Sequence, residues 1–428
     1  MSEGENDGRG GAARLDRRAF LQRSALGLGG LAWLPGCGEG DDPADAGLRP
    51  ADPHIRRRAT LGRTGIEIPD ISFGGWGLED DEDVVRHALD RGVTHFDTAP
   101  DYADGLSETT IGRALGGDRQ RVTLATKVAA HAGMKRDEIM ASLEASLRRF
   151  GTDHVDVFFN HAVNKVARIR NPEWWEFVAR AKQQGKIRAS GMSGHGGNLA
   201  RCVDEAIDGG QTDVFLLAHN YANDPGFWGL AQRFRDVFTG GFDMVAYQSE
   251  LPRLIQRAHD AELGVMVMKT RRGARYNDLS AFRGDGANHA QAAFRWVLSD
   301  PRIHGLVVTM WSREIVDQFV AASGSAPPTA ADARSLLRYE ARNARSICQP
   351  GCDACAGACP AGVDVAGTLR TRMYAERYGR PDVARVEYGA LAGSASPCLQ
   401  CASPVCASAC PAKLDIRRLA GETHRLLG

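Results

Sequence analysis

The chain has 428 residues, too many for one ordinary hydrophobic core and enough for a large α/β barrel with a smaller second domain. Its 53 basic and 53 acidic residues cancel, so composition offers no argument for nucleic acid or an anionic membrane surface as partner. No apolar run approaches the roughly 20 residues that span a bilayer.

Residues 1–37 read as an export signal. A Gly-rich polar start leads to Arg17 and Arg18, then Phe20 and Leu21, then the apolar stretch "SALGLGGLAWL". Paired arginines before so short an apolar stretch predict a twin-arginine signal, a route that carries folded proteins. "LPGC" at 34–37 resembles a lipobox, which makes Cys37 a candidate for lipidation and the one expected membrane attachment. Residues 38–55 include "GEGDDPADAG", acidic and Gly-rich, and predict a flexible linker. The expected location is periplasmic, or anchored at the cell envelope through Cys37.

Over residues 56–325, short β-branched runs alternate with amphipathic helical patterns. Strands are predicted at 71–78, 95–99, 121–128, 155–162, 187–194, 214–220, 264–270 and 304–310. Parallel strands need helical crossovers, so eight such βα units predict a (β/α)8 TIM barrel, with a doubly wound sheet as the alternative.

Barrel active sites gather at the C-terminal strand ends. Asp97 ends the second predicted strand, Lys127 the third and His161 the fourth, and Tyr102 lies in the loop after Asp97. Separately, each has a structural explanation, such as Asp capping the next helix. Together they form a carbonyl-reducing set. A lysine held charged by a carboxylate should lower the phenol pKa of Tyr102, the general acid, and His161 can orient the carbonyl oxygen.

The stretches "TLGRTGIEIPDISFGGWGL", "GVTHFDTAPDYADGLSETTIGRAL", "LATKV" and "VDVFFNHA" resemble successive motifs of the aldo-keto reductases, over about residues 58–323. The resemblance implies a catalytic tetrad of Asp97, Tyr102, Lys127 and His161, a small carbonyl or alcohol substrate, and NADP(H) as cofactor. The cofactor positions depart from the family pattern. Ser193 is followed by Gly194 where a Ser-Asn pair is usual, and Leu216 and His219 replace a glutamine and a stacking aromatic ring. Ser193, His219, Arg271, Ser312 and Arg313 are the candidate cofactor contacts, with Arg272 beside them. About thirty residues after the sixth strand, "ANDPGFWGLAQRFRDVFTGGFDMVAYQSE", could form a lid or a seat for the C-terminal module.

Eight of the ten cysteines fall in residues 340–428. Cys348, Cys352, Cys355 and Cys359 precede Pro360; Cys398, Cys401, Cys406 and Cys410 precede Pro411. Two such tetrads with Cys-Pro endings predict two [4Fe–4S] clusters, the fourth cysteine of each set serving the other cluster. Zinc and disulfides are the rival uses. The intervening pattern is helical, so the module is expected to be a small α-helical ferredoxin-like domain, resembling the reductase branch that carries such a tail. Clusters are assembled in the cytoplasm, and export of a folded, metallated chain agrees with the leader. The expected function is an exported oxidoreductase coupling carbonyl/alcohol chemistry to cluster electron transfer, with a redox partner protein. The alternative is an anchored iron–sulfur electron-transfer or binding protein with a non-catalytic barrel.

Overall fold

The computed structural model describes residues 52–196, 198–227, 229, 250–272, 288–325, 327–343, 348, 352, 354–377 and 381–428. The export signal with Arg17, Arg18 and Cys37, most of the 38–55 linker and most of the long segment after the sixth strand lie outside the described residues.

A hairpin absent from the expectations comes first. β1 (Arg58–Thr60) pairs antiparallel with β2 (Glu67–Pro69). Leu61, Ile66 and Ile68 from this hairpin pack with Ala125, Val157 and Phe159, plugging the N-terminal end of the barrel with apolar surface.

Among the described residues, eight parallel strands then close into a barrel. They are β3 (Ile71–Gly74), β4 (His95–Asp97), β5 (Thr123–Val128), β6 (Val155–Asn160), β7 (Ile187–Gly194), β8 (Val214–Ala218), β9 (Gly264–Met268) and β10 (Gly305–Thr309), with β10 pairing back to β3. The doubly wound alternative is thereby excluded.

The crossover helices are α1 (Glu82–Asp90), α2 (Leu106–Leu115), α3 (Arg136–Phe150), α4 (Val166–Ile169), α5 (Pro172–Gln183), α6 (Leu199–Asp208), α7 (Leu251–Asp260), α8 (His289–Leu298) and α9 (Arg313–Val320). Their starts obey local chemistry. Asp81 accepts from the Val84 N–H ahead of α1, and Asn171 accepts from the Glu173 N–H ahead of α5, which opens on Pro172. Strands covered on both faces read as continuous apolar runs, and β6 is buried at every position.

Side chains alternate along each strand, which separates two cores. On β5 and β6, Leu124 and Phe158 pack under the helices, whereas Ala125, Val157 and Phe159 fill the barrel interior. Lys127, two residues beyond Ala125, therefore shares the interior face at the barrel mouth.

The C-terminal region is helical: α10 (Ala330–Asn343), α11 (Val365–Arg377), α12 (Pro381–Gly389), α13 (Val405–Ala409) and α14 (Ile416–Leu427). Val365, Leu369, Met373, Ile416 and Leu419 belong to a second core, and Trp76 of the barrel packs against it. A buried ion pair fastens α10 to the barrel mouth: Arg272 donates to Glu340 at 2.5 Å, and Glu340 also accepts from Tyr221 at 3.0 Å.

Candidate active site

The ends of β4, β5 and β6, with the turn that follows β4, bring the four predicted residues into the lining of a cavity of about 430 Å³. Register accounts for the juxtaposition, since Asp97 lies opposite Ala125 and Lys127 opposite Phe159. The Lys127 ammonium donates to Asp97 Oδ1 at 2.6 Å and to the Thr98 carbonyl at 2.5 Å. It lies 5.2 Å from the centre of the Tyr102 ring. The Tyr102 and His161 rings meet edge to face with centroids 6.0 Å apart.

Backbone strain and buried hydrogen bonds hold these side chains. Tyr102 opens a one-turn helix in which Ala103 and Asp104 are left-handed, with φ of 49° and 53°. Gly105 continues that turn at φ 84°, and a Cβ there would meet Arg149 at 2.7 Å, so glycine is required. Beneath the turn, Glu108 is fully buried and accepts from Thr126 and Arg149, each at 2.5 Å. On the other side, Arg168 donates to the carbonyls of His161 and Ala162 and to Asn160 Oδ1. This fixes His161 ahead of the left-handed Ala162 at φ 51°.

The electrostatics differ from the sequence expectation at one residue. Tyr102 is not depressed by its lysine; its phenol is pushed well above the ordinary value by burial, then by Asp97, Asp101, Tyr374 and Glu387. Desolvation disfavours the phenolate, and the surrounding negative groups add to the effect. Tyr102 therefore keeps its proton at neutral pH, which suits a donor. Burial also raises the Asp97 carboxyl, against the opposing pull of Lys127. The His161 imidazole is lowered to about 4 by burial, so it is neutral at pH 7 despite Asp101 Oδ2 lying 3.6 Å from its Nδ1.

The candidate cofactor residues separate into two groups. Ser193 and Arg271 line the cavity. Ser193 Oγ accepts from the Ala162 N–H at 3.1 Å, and the Arg271 guanidinium lies 5.0 Å from the Phe319 ring centre. His219, Ser312 and Arg313 do not line it. His219 is buried one position beyond the interior-facing Ala218, and alternation turns it away from the barrel axis. Ser312 caps α9 by accepting from the Ile315 N–H, and Arg313 donates to Asp83 at the surface at 3.0 Å.

Sequence reasoning missed Trp76, Asp101, His195, Lys269, Tyr374 and Glu387, which all line the cavity. Trp76 sits in the quoted "GGWGL" and His195 just after Ser193, so both were available as strand-end residues. Tyr374 and Glu387 belong to α11 and α12 and carry no local signal. His195 is notable because its Nδ1 is buried with no hydrogen-bond partner among the described residues.

The profile of the aldo/keto reductase family matches residues 70–218, from β3 through β8. Over this segment the chain is similar to the aldo/keto reductase family. The chain is 30% identical over 178 residues to the L-glyceraldehyde 3-phosphate reductase of Escherichia coli O157:H7, covering 37% of this chain and 50% of that one. It is 35% identical over 155 residues to the aldo-keto reductase YhdN of Bacillus subtilis (strain 168), covering 31% of this chain and 46% of that one. The chain thus spans about half the length of these curated relatives. The solved aldo-keto reductase AKR11C1 from Bacillus halodurans superposes with a TM-score of 0.50 at 20% identity, covering 66% of this chain and 95% of that one. That likeness is one of fold.

None of the eight C-terminal cysteines is in a disulfide. Among the described residues, no three His, Cys, Asp or Glu side chains form a group that could hold a single metal ion. The expected [4Fe–4S] sites are therefore not shown by the arrangement of these side chains. The thiols nevertheless influence one another crosswise. Cys348 is pushed up by burial, then by Cys352, Cys355 and Cys410. Cys355 is pushed up to about 12 by burial, Cys352, Cys410 and Cys406. Cys398 is raised by burial, then by Cys359, Cys406 and Cys401. Each set thus neighbours the last cysteine of the other.

Proposed function

We propose that the chain is an oxidoreductase of aldo-keto reductase type that interconverts a small carbonyl compound and its alcohol. The buried Asp97–Lys127 pair at 2.6 Å, set beneath Tyr102 and beside His161, is the observation that carries this reading. A carbonyl oxygen seated between Tyr102 and His161 receives a hydrogen bond from the neutral imidazole and the proton of the phenol. With hydride supplied to the carbon by a bound cofactor, the phenol proton would pass to the oxygen, giving the alcohol. Lys127 offsets the negative charge left on Tyr102, and Asp97 keeps that ammonium in place.

NADP(H), when bound, would supply or accept the hydride. Ser193 and the unpartnered Nδ1 of His195 offer polar contacts for its amide end, and Arg271 offers a cation. In the ferredoxin-like C-terminal module, Cys348, Cys352, Cys355 and Cys410 would hold one [4Fe–4S] cluster and Cys359, Cys398, Cys401 and Cys406 a second. Such clusters pass single electrons, here to or from a redox partner protein. The crosswise grouping of the thiols supports this arrangement. The leader, with Arg17, Arg18 and Cys37, supports export of the folded protein to the periplasm or envelope.

A second reading, an electron-transfer protein with an inactive barrel, draws support from Leu216 and His219 at the departed cofactor positions. An NADPH-consumption assay on the anaerobically purified full chain, with a panel of aldehydes and ketones, separates the two. Turnover supports the reductase. No turnover together with no NADPH binding favours the second reading.

A further inference from the structure

The outer wall of the cavity is not made by the barrel. Trp76, in the loop after β3, stacks on Tyr374 of α11 with ring centroids 5.8 Å apart and planes inclined by 29°. Lys269, just past β9, donates to Tyr374 Oη at 3.0 Å, and its ammonium lies 4.8 Å from the centre of that ring. One turn earlier on α11, Arg370 donates to the His195 carbonyl at 2.8 Å, which ties the helix to the loop after β7. Val386 and Glu387 of α12 extend the same wall.

Two further observations mark this wall as more than packing. Lys269 is a non-glycine residue at φ 58°, a conformation that costs about 1 kcal/mol or more and persists where surrounding structure requires it. Tyr374 and Tyr102 both line the cavity, and Tyr374 acts electrostatically on Tyr102. Burial, then Glu387, push the Tyr374 phenol up to about 12, opposed by the charge and the side-chain hydrogen bond of Arg370, so it keeps its proton at neutral pH. A hydroxyl whose oxygen accepts from a cation becomes a better donor through its own hydrogen.

We propose that Tyr374, presented by the C-terminal region and held by Lys269, is a specificity-determining residue that hydrogen-bonds a second oxygen of the substrate. The cavity then prefers dicarbonyl and hydroxycarbonyl compounds to monofunctional ones. The inference rests on the reductase reading for its substrate class. Its physical basis is that a site built to hydrogen-bond an oxygen discriminates strongly against an analogue that lacks it.

The test uses the anaerobically purified full chain, 2,3-butanedione and 2-butanone as substrates, and the Tyr374→Phe and Lys269→Met variants. The ratio of kcat/KM values for dione over ketone should fall about 10- to 100-fold in Tyr374→Phe and in the same direction in Lys269→Met. Comparing each ratio with wild type cancels the greater intrinsic reactivity of the dione. A parallel loss on both substrates, leaving the ratio unchanged, would overturn the proposal in favour of a structural role.

Binding of the alcohols 2,3-butanediol and 2-butanol, followed by ligand-observed NMR, gives a readout independent of turnover. Wild type should prefer the diol, and Tyr374→Phe should lose that preference. A diol preference without turnover would sink the reductase reading and leave Tyr374 in its role. Equal binding of diol and monoalcohol by wild type would overturn that role whatever the turnover.

Discussion

Replacing Lys127 with methionine is the sharpest perturbation of the barrel mouth. Lys127 is 1% exposed and Asp97 4% exposed, and the ammonium gives Asp97 Oδ1 its hydrogen bond. Asp97 Oδ2 already lacks a partner among the described residues. Lys127→Met therefore strands a buried carboxylate, at a cost of about 3–5 kcal/mol. Asp97→Asn removes the negative partner of the ammonium in turn, leaving it the neutral Asn amide oxygen and the Thr98 carbonyl as acceptors.

The double variant removes both charges and should recover at least about 2 kcal/mol relative to the sum of the single losses. The carboxyl of Asp97 is already raised by burial with Lys127 present, and losing the lysine raises it further. The folded Lys127→Met protein then binds more protons than its unfolded chain, so its stability falls as pH rises. The penalty should be larger at pH 8 than at pH 5. Urea unfolding of the four proteins at both pH values, with unchanged dependence on urea concentration, measures this directly. Losses that add within about 0.5 kcal/mol and do not vary with pH would refute the buried-pair account.

Tyr102→Phe should lower kcat by about 10²–10⁴-fold with little change in KM, because the phenol proton moves only in the transition state; steady-state kinetics on any active substrate checks it. His95, a buried imidazole lowered from 6.5 to about 4, should cost about 3 kcal/mol of stability as pH falls from 6.5 through 4, since the unfolded chain takes up the proton first. Replacing His95 with Gln should reduce the slope of that part of the pH–stability curve, to which the buried His161 also contributes. Anaerobic protein should carry about eight iron and eight sulfide per chain. Cys410→Ser should halve both if its cluster is otherwise held by the Cys348 set, and zinc in place of iron would end the cluster assignment. Replacing Arg17 and Arg18 with lysine should leave the protein in the cytoplasm, as fractionation would report.

The barrel was legible because its signals are local and repeat. A short β-branched run between amphipathic helices can bury both faces only in a parallel, helix-covered sheet, and the predicted strands all appear within a few residues of their expected places. The tetrad was legible for a related reason. A polar residue at a strand's end, on the same face as an interior residue two positions earlier, has little choice but to enter the mouth.

Where a position left the strand, that rule weakened. His219 lies one residue past Ala218 and is turned off the axis, and Ser312 and Arg313 are committed to a helix cap and a surface ion pair. The direction of the Tyr102 shift was also hidden. It depends on burial and then on Asp97, Asp101, Tyr374 and Glu387, the last some 285 residues on, rather than on the adjacent lysine that sequence suggests.

Composition and spacing alone marked the cysteine-rich C-terminal region and its helical character, because eight thiols in a short segment and 3.6-residue periodicity are properties of the chain itself. That this region forms a wall of the cavity follows from no local pattern. Tyr374 meets Trp76 and Lys269 only because the second core packs against Trp76 and Arg370 ties α11 to the loop after β7. Contacts between residues about 100 to 300 positions apart are set by how two apolar surfaces and a few buried polar groups are satisfied together, which only the folded chain decides.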